Sequence, residues 1–240
     1  MRNIFLILLM GSLALANSIN VAVAANVSYA IKPLIHEFNK TNTTKIKIIL
    51  GSSGKLTSQI KNGAPYDIFL SANMKYPNYL YENRLTTIKP VVYAQGTLAL
   101  FSAKKRDLKD ISIINSMRKI AIANPKTAPY GKAAFQAISN AKLLDINIKK
   151  FVYAENISQT VQFALVAADV GFIAKSSLYS PKMKKYKKGA NYIEVDKNLY
   201  KPIKQAIVLL NNKKGSLAFY DFILSPKAKK IFKEYGYNVE

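Results

Sequence analysis

The 240-residue chain contains no cysteine and no tryptophan, a single histidine, and only four arginines (Arg2, Arg84, Arg106, Arg118) among its 36 basic residues. Without cysteine there is no disulfide framework, no thiolate zinc site and no cysteine to carry a lipid anchor. One histidine cannot make a His-rich metal site and gives a Ser-His-Asp triad little to draw on. His36 lies off the apolar stripe of its helix and reads as an ordinary solvated residue. Acidic residues are also scarce, 13 in all, so the formal charge is +23. That charge raises nucleic-acid binding as a class. The scarcity of arginine argues against it, because the guanidinium is the preferred reader of phosphates and base edges. The lysines are scattered, and their densest run, Lys182–Lys188, reads as a solvated surface loop. No nucleic-acid partner is expected.

Long apolar runs are missing too. Ile4–Leu13 is too short to span a bilayer. It follows Arg2 and precedes small residues, the layout of a secretory signal. Small-x-small cleavage sites occur after Ala16 and after Ala24. The second would cut through residues 19–25, which read as the first strand of the mature protein. Cleavage is therefore expected after Ala16, with residues 1–16 as signal peptide. The product is expected to be exported, unanchored and suited to a bacterial periplasm.

Beyond the signal, short apolar runs alternate with helical patterns, the mark of an α/β fold with mainly parallel sheets. Strands are predicted at 19–25, 45–50, 67–71, 97–102, 119–123, 151–154, 170–174, 192–195 and 206–210. A helix over 28–40 shows Ile31, Leu34, Ile35 and Phe38 on one face, with Pro33 expected to kink it or delay its start. The last helix runs from Ser225 as N-cap through Pro226 to a stop at Gly236. No flexible linker is present, so two lobes must be joined by ordered strands. With 97–102 and 206–210 as crossing points, one lobe is residues 17–96 plus 207–240 and the other 97–206. A cleft between such lobes is a common ligand site.

Four strand-to-helix turns share one chemistry. They are Ala24–Ser28, Gly51–Gly54, Asn124–Gly131 and Glu155–Gln159. In the last, Asn156 as N-cap and Gln159 three residues on form a capping-box pattern that can leave the Ile157 N–H free. Free N–H groups and the positive end of a helix dipole attract an anion. Any one such turn reads as an ordinary N-cap. Two from each lobe, closing on one cleft, would surround a small tetrahedral anion with donors. Gly51-Ser-Ser-Gly-Lys55 lacks the spacing of a phosphate P-loop.

Nine stretches carry a resemblance: Ala24-Ala-Asn26, Gly51-Ser-Ser-Gly-Lys55, Asn62-Gly-Ala-Pro65, Asp67-Ile-Phe-Leu-Ser-Ala72, Ile122-Ala-Asn-Pro125, Ala128-Pro-Tyr-Gly131, Glu155-Asn-Ile-Ser-Gln159, Gly171-Phe-Ile-Ala174 and Tyr235-Gly-Tyr237. In this order they resemble the periplasmic molybdate-binding proteins of ATP-binding-cassette (ABC) importers, over nearly all of the mature chain. The resemblance implies a two-lobed periplasmic solute-binding fold with two crossover strands and an oxyanion, molybdate or tungstate, in the interlobe cleft. Matched motif by motif, the family's contacts fall on Asn26, Ser53, Tyr130 and Ile157, the last two through main-chain N–H groups. Much of the family has serine where Asn26 stands, and some members have a tyrosine where Ala174 stands. No cofactor and no free metal cation are implied. The expected partners of the monomer are the oxyanion and the membrane permease of an ABC importer.

Neutral donors suffice for such an ion. A site of donors alone also disfavours phosphate, which keeps a proton that would find no acceptor. Sulfate is smaller than donors fixed around molybdate require, whereas tungstate nearly matches it in size. The rival readings are a binding protein for another oxyanion such as sulfate, an enzyme built on a similar fold, and a surface-adhesive basic protein supported only by the charge of +23. The lone histidine, the missing cysteine and the lack of paired carboxylates near the four turns speak against an enzyme.

Overall fold

The computed structural model describes residues 18–239, so the proposed signal peptide lies outside the described residues. In chain order the strands are β1 (Ser18–Ala24), β2 (Lys45–Gly51), β3 (Ile68–Ser71), β4 (Val91–Gly96), β5 (Leu98–Phe101), β6 (Ile120–Ala123), β7 (Phe151–Ala154), β8 (Val170–Ala174), β9 (Tyr192–Glu194) and β10 (Ile203–Leu209). The helices are α1 (Ile31–Phe38), α2 (Ser53–Lys61), α3 (Lys75–Glu82), α4 (Pro129–Asn140), α5 (Leu144–Asn147), α6 (Ile157–Val166), α7 (Lys214–Leu224) and α8 (Pro226–Glu234).

The strands form two five-stranded sheets, ordered β2-β1-β3-β10-β4 and β7-β6-β8-β5-β9. The two share one plan. Three parallel strands occupy one side of each sheet, and two strands antiparallel to their neighbours complete it. The sheets are thus mixed rather than mainly parallel. In each, the first antiparallel strand is the one that arrives from the other lobe, β10 in the first sheet and β5 in the second. Only Thr97 separates β4 from β5. The return strand begins at Ile203 rather than at residue 206, its start hidden in the sequence by Lys204 and the buried Gln205.

Side-chain alternation explains why the central strands are largely apolar on both faces. On β1, Ile19, Val21 and Val23 face α1, α7 and α8, while Ala22 faces Leu56 and Phe69 on the opposite side. On β5, Leu98 and Leu100 enter one core and Ala99 and Phe101 the other. Both faces of each sheet are covered, as parallel sheets require.

Helix α1 starts at Ile31, so Pro33 falls in its first turn, where a missing N–H costs no intrahelical bond. Helix α8 ends in a Schellman motif. Gly236, at φ 75°, donates its N–H to the Lys233 carbonyl, and the Tyr237 N–H reaches the Phe232 carbonyl. The Tyr237 ring then packs edge-on against Phe232, with centroids 5.5 Å apart. This turn carries the Tyr237 hydroxyl to Asn26.

Candidate oxyanion site

The four turns lie at the carboxyl ends of β1, β2, β6 and β7, where open α/β sheets place their ligands. All four converge. Asn26, Ser52, Ser53, Tyr130 and Ile157 line one small pocket, completed by small residues of the same turns, Pro129 and Ala72. The four site residues expected from the sequence are brought together and are all buried.

Each turn presents its residue for a separate reason. Ser53 opens α2, and its Oγ accepts the Ala72 N–H at 2.9 Å. With its acceptor side engaged, the hydroxyl proton is left to donate elsewhere. Tyr130 follows Pro129 at the start of α4, so its N–H lies among those a helix cannot pair internally. Close packing fixes this end of the helix: a Cβ on Gly131 would lie 2.1 Å from the Ala123 carbonyl oxygen. At α6 the Asn156 side chain accepts from the Ser158 and Gln159 N–H groups, and Gln159 Oε1 accepts in turn from the Glu155 N–H. The Ile157 N–H, first in the helix, is passed over by both caps.

Asn26 is differently placed. Its Nδ2 donates to Gln205 Oε1 at 2.8 Å and to Tyr237 Oη at 3.1 Å, while Oδ1 has no partner. Its main-chain carbonyl accepts from Ser176 Oγ and Tyr237 Oη. Asn26 is therefore in the pocket wall, but its amide protons point into the protein. Ser52, the N-cap of α2, is a residue that the sequence reading missed. Its Oγ is buried, makes no cap bond and has no partner. Behind the wall lies a second missed feature, a buried cluster in which Gln205 bridges Asn26, Tyr93 and Tyr130. Burial pushes the phenols of Tyr93 and Tyr130 well up, and that of Tyr237 to about 12. All three remain protonated donors at physiological pH.

The lobes meet around the pocket. The Gly54 N–H donates to the Thr127 carbonyl at 2.9 Å, Ser158 Oγ to the Ala25 carbonyl at 2.8 Å, and Tyr76 Oη to the Lys126 carbonyl at 3.1 Å. Lys55 does not line the pocket. It turns outward and forms an ion pair with Glu155 at 2.6 Å, both side chains about half exposed. The pocket wall contains no lysine, arginine, histidine or carboxylate. Such a wall can hold an anion by hydrogen bonds but offers no general base or nucleophile–base pair. Among the described residues, no group of three or more His, Cys, Asp or Glu could hold a metal ion. His36 is exposed, as expected.

Known proteins share this architecture. The family model for bacterial extracellular solute-binding proteins matches residues 19–238. The molybdate-binding protein ModA of Azotobacter vinelandii is 35% identical over 240 residues, covering 97% of this chain and 94% of the relative. ModA of Rhodobacter capsulatus is 34% identical, covering 95% and 90%. The solved A. vinelandii periplasmic molybdate-binding protein superposes with a TM-score of 0.84 at 31% identity, over 92% of this chain and 99% of that one. With its two lobes, its crossing strands and a site built at their meeting, the chain belongs to the bacterial extracellular solute-binding protein family.

Proposed function

We propose that this protein captures molybdate or tungstate in the periplasm and delivers it to the membrane permease of an ABC importer. The observation that carries the proposal is the convergence of four strand-to-helix turns, two on each side, on one small uncharged pocket, with unpaired neutral donors at three of them. Relatives named for molybdate binding narrow the ion. The ion is held by Ser53 Oγ, Ser52 Oγ and the N–H groups of Tyr130 and Ile157, and the amide of Asn26 joins them when its protons are turned toward the pocket. At roughly 1.5–3 kcal/mol per hydrogen bond to a charged group, five amount to on the order of 10 kcal/mol, enough for tight capture.

The remaining features follow the same reading. The protein acts as a monomer without catalysis, cofactor or nucleic acid. The lobes are residues 17–96 plus 207–240 and residues 97–206, with the crossings near 96/97 and within β10. Cleavage after Ala16 leaves the whole of β1, a strand paired on both sides, in the mature protein. An intact mass corresponding to a chain that starts at Asn17 is expected. Titration calorimetry of the mature protein with molybdate, tungstate, sulfate and phosphate tests the function. Tight binding of the first two alone is expected, and a preference for sulfate would replace this reading with the sulfate-binding one.

A further inference from the structure

The unpartnered Asn26 Oδ1 poses a chemical problem. Asn26 lines the pocket, and the end of its amide without a protein partner is an acceptor, which an oxyanion repels. We infer that Gln205 is a positioning residue that sets which end of the Asn26 amide faces the pocket, and thereby whether the site favours a fully deprotonated oxyanion or one that carries a proton. This inference rests on the oxyanion-binding reading.

The network behind the wall accommodates both senses. In one, Gln205 Oε1 accepts from Asn26 Nδ2 and from Tyr93 Oη, and Gln205 Nε2 donates to Tyr130 Oη at 3.1 Å. Asn26 Oδ1 then faces the pocket and suits the O–H of a protonated anion. A half-turn of both amides reverses every role without moving the chain. Gln205 Nε2 then donates to Asn26 Oδ1, and Gln205 Oε1 accepts the Tyr130 proton. Tyr93 accepts from Nε2 and turns its own proton toward the Ser71 carbonyl, 3.5 Å away. Tyr237, 3.1 Å from the Asn26 amide, donates to Oδ1, while Ser176 keeps the Asn26 carbonyl paired. The Asn26 amide protons now face the pocket. The two amides must turn together, because an unmatched pair places two acceptors or two donors face to face. The three tyrosines allow this because each phenol both donates and accepts, and their raised pKa values keep the protons in place.

The experiment is a double-mutant cycle read by molybdate and phosphate titrations. Gln205→Met, similar in size but without hydrogen bonds, is expected to weaken molybdate about tenfold when residue 26 is Asn. In an Asn26→Ser background it should change binding less than about threefold, since a serine hydroxyl turns by itself. Gln205→Glu, accepting only when ionised, should hold the acceptor end toward the pocket. It is expected to move the molybdate-to-phosphate affinity ratio about tenfold toward phosphate, a ratio from which the added charge largely cancels. Equal losses for Gln205→Met in both backgrounds, or no loss in either, would overturn the positioning role. If the Glu variant fails to fold, the Met cycle still decides. Should the wild-type protein bind neither molybdate nor tungstate, the functional reading itself falls; should it bind them while the cycle is additive, only the role of Gln205 falls.

Discussion

Ser53 is engaged by its neighbour: the Ala72 N–H donates to its oxygen, which leaves its proton free to donate elsewhere. Ser53→Ala should weaken molybdate binding by about 1–3 kcal/mol, because it removes a donor to a charged acceptor and leaves the Ala72 N–H unpaired. Lys55→Ala should cost less than about 1 kcal/mol, since its ion pair with Glu155 is half exposed and lies outside the pocket. Calorimetry of the two variants separates neutral-dipole binding from attraction by the basic surface; a larger loss at Lys55 would favour the latter. Tyr237 gives a test in pH. Burial raises its pKa to about 12 from an ordinary 10. The folded state therefore holds this proton more tightly than the unfolded chain does. The associated stability, roughly 2–3 kcal/mol, is fully present below pH ~10 and is lost as pH rises through ~12. Thermal melts between pH 8 and 12 should fall across that window, and Tyr237→Phe should flatten the decline.

The helix N-termini are the working elements, and they were also the most legible part of the sequence. Small, hydroxylated or amide residues after an apolar run mark a helix start locally, so the Gly51–Gly54 turn and the Asn156 cap could be placed without any tertiary knowledge. Strand β4 was missed because it lies at a sheet edge, with Val91 and Val92 exposed and Gln95 interrupting its pattern. The amide–tyrosine cluster was invisible for another reason. Gln205 and Tyr237 lie 179 and 211 residues from Asn26, and no periodicity links positions so far apart. Orphaned polar atoms such as Ser52 Oγ appear only once burial is known. Gly54 shows how closely two elements approach. A Cβ there would lie 2.7 Å from Tyr76 Oη in its own lobe and 3.0 Å from the Thr127 Cα and carbonyl oxygen across the lobe boundary. Gly54→Ala should leave the melting temperature of the ligand-free protein nearly unchanged, since the backbone it would meet belongs to the other lobe and the Tyr76 hydroxyl, the end of a side chain, can swing aside. It should lower molybdate affinity by about 1–3 kcal/mol through the strain of closure. A large loss of ligand-free stability instead would place that contact in the folding of one lobe.

At the scale of the molecule, a ligand that binds only the folded form stabilises it by RT ln(1 + [L]/Kd), about 4 kcal/mol at a thousandfold excess over Kd. For a chain of this size the melting temperature should rise by about 8–16 °C with molybdate or tungstate. An equal rise with phosphate would count against selectivity for a fully deprotonated oxyanion. The division of the pocket has a further consequence. Ser53 and Asn26 stand on one side of it, Tyr130 and Ile157 on the other, and no wall residue carries charge. An ion left on either half would keep about half its hydrogen bonds and no Coulombic hold from the wall, so its affinity there would fall by roughly three orders of magnitude. Unloading then requires no competing ion, no proton and no change in the site's chemistry. A partner that pries the two halves apart by the width of one anion converts a tight trap into an open ledge, and the cargo leaves at the pace of that mechanical step.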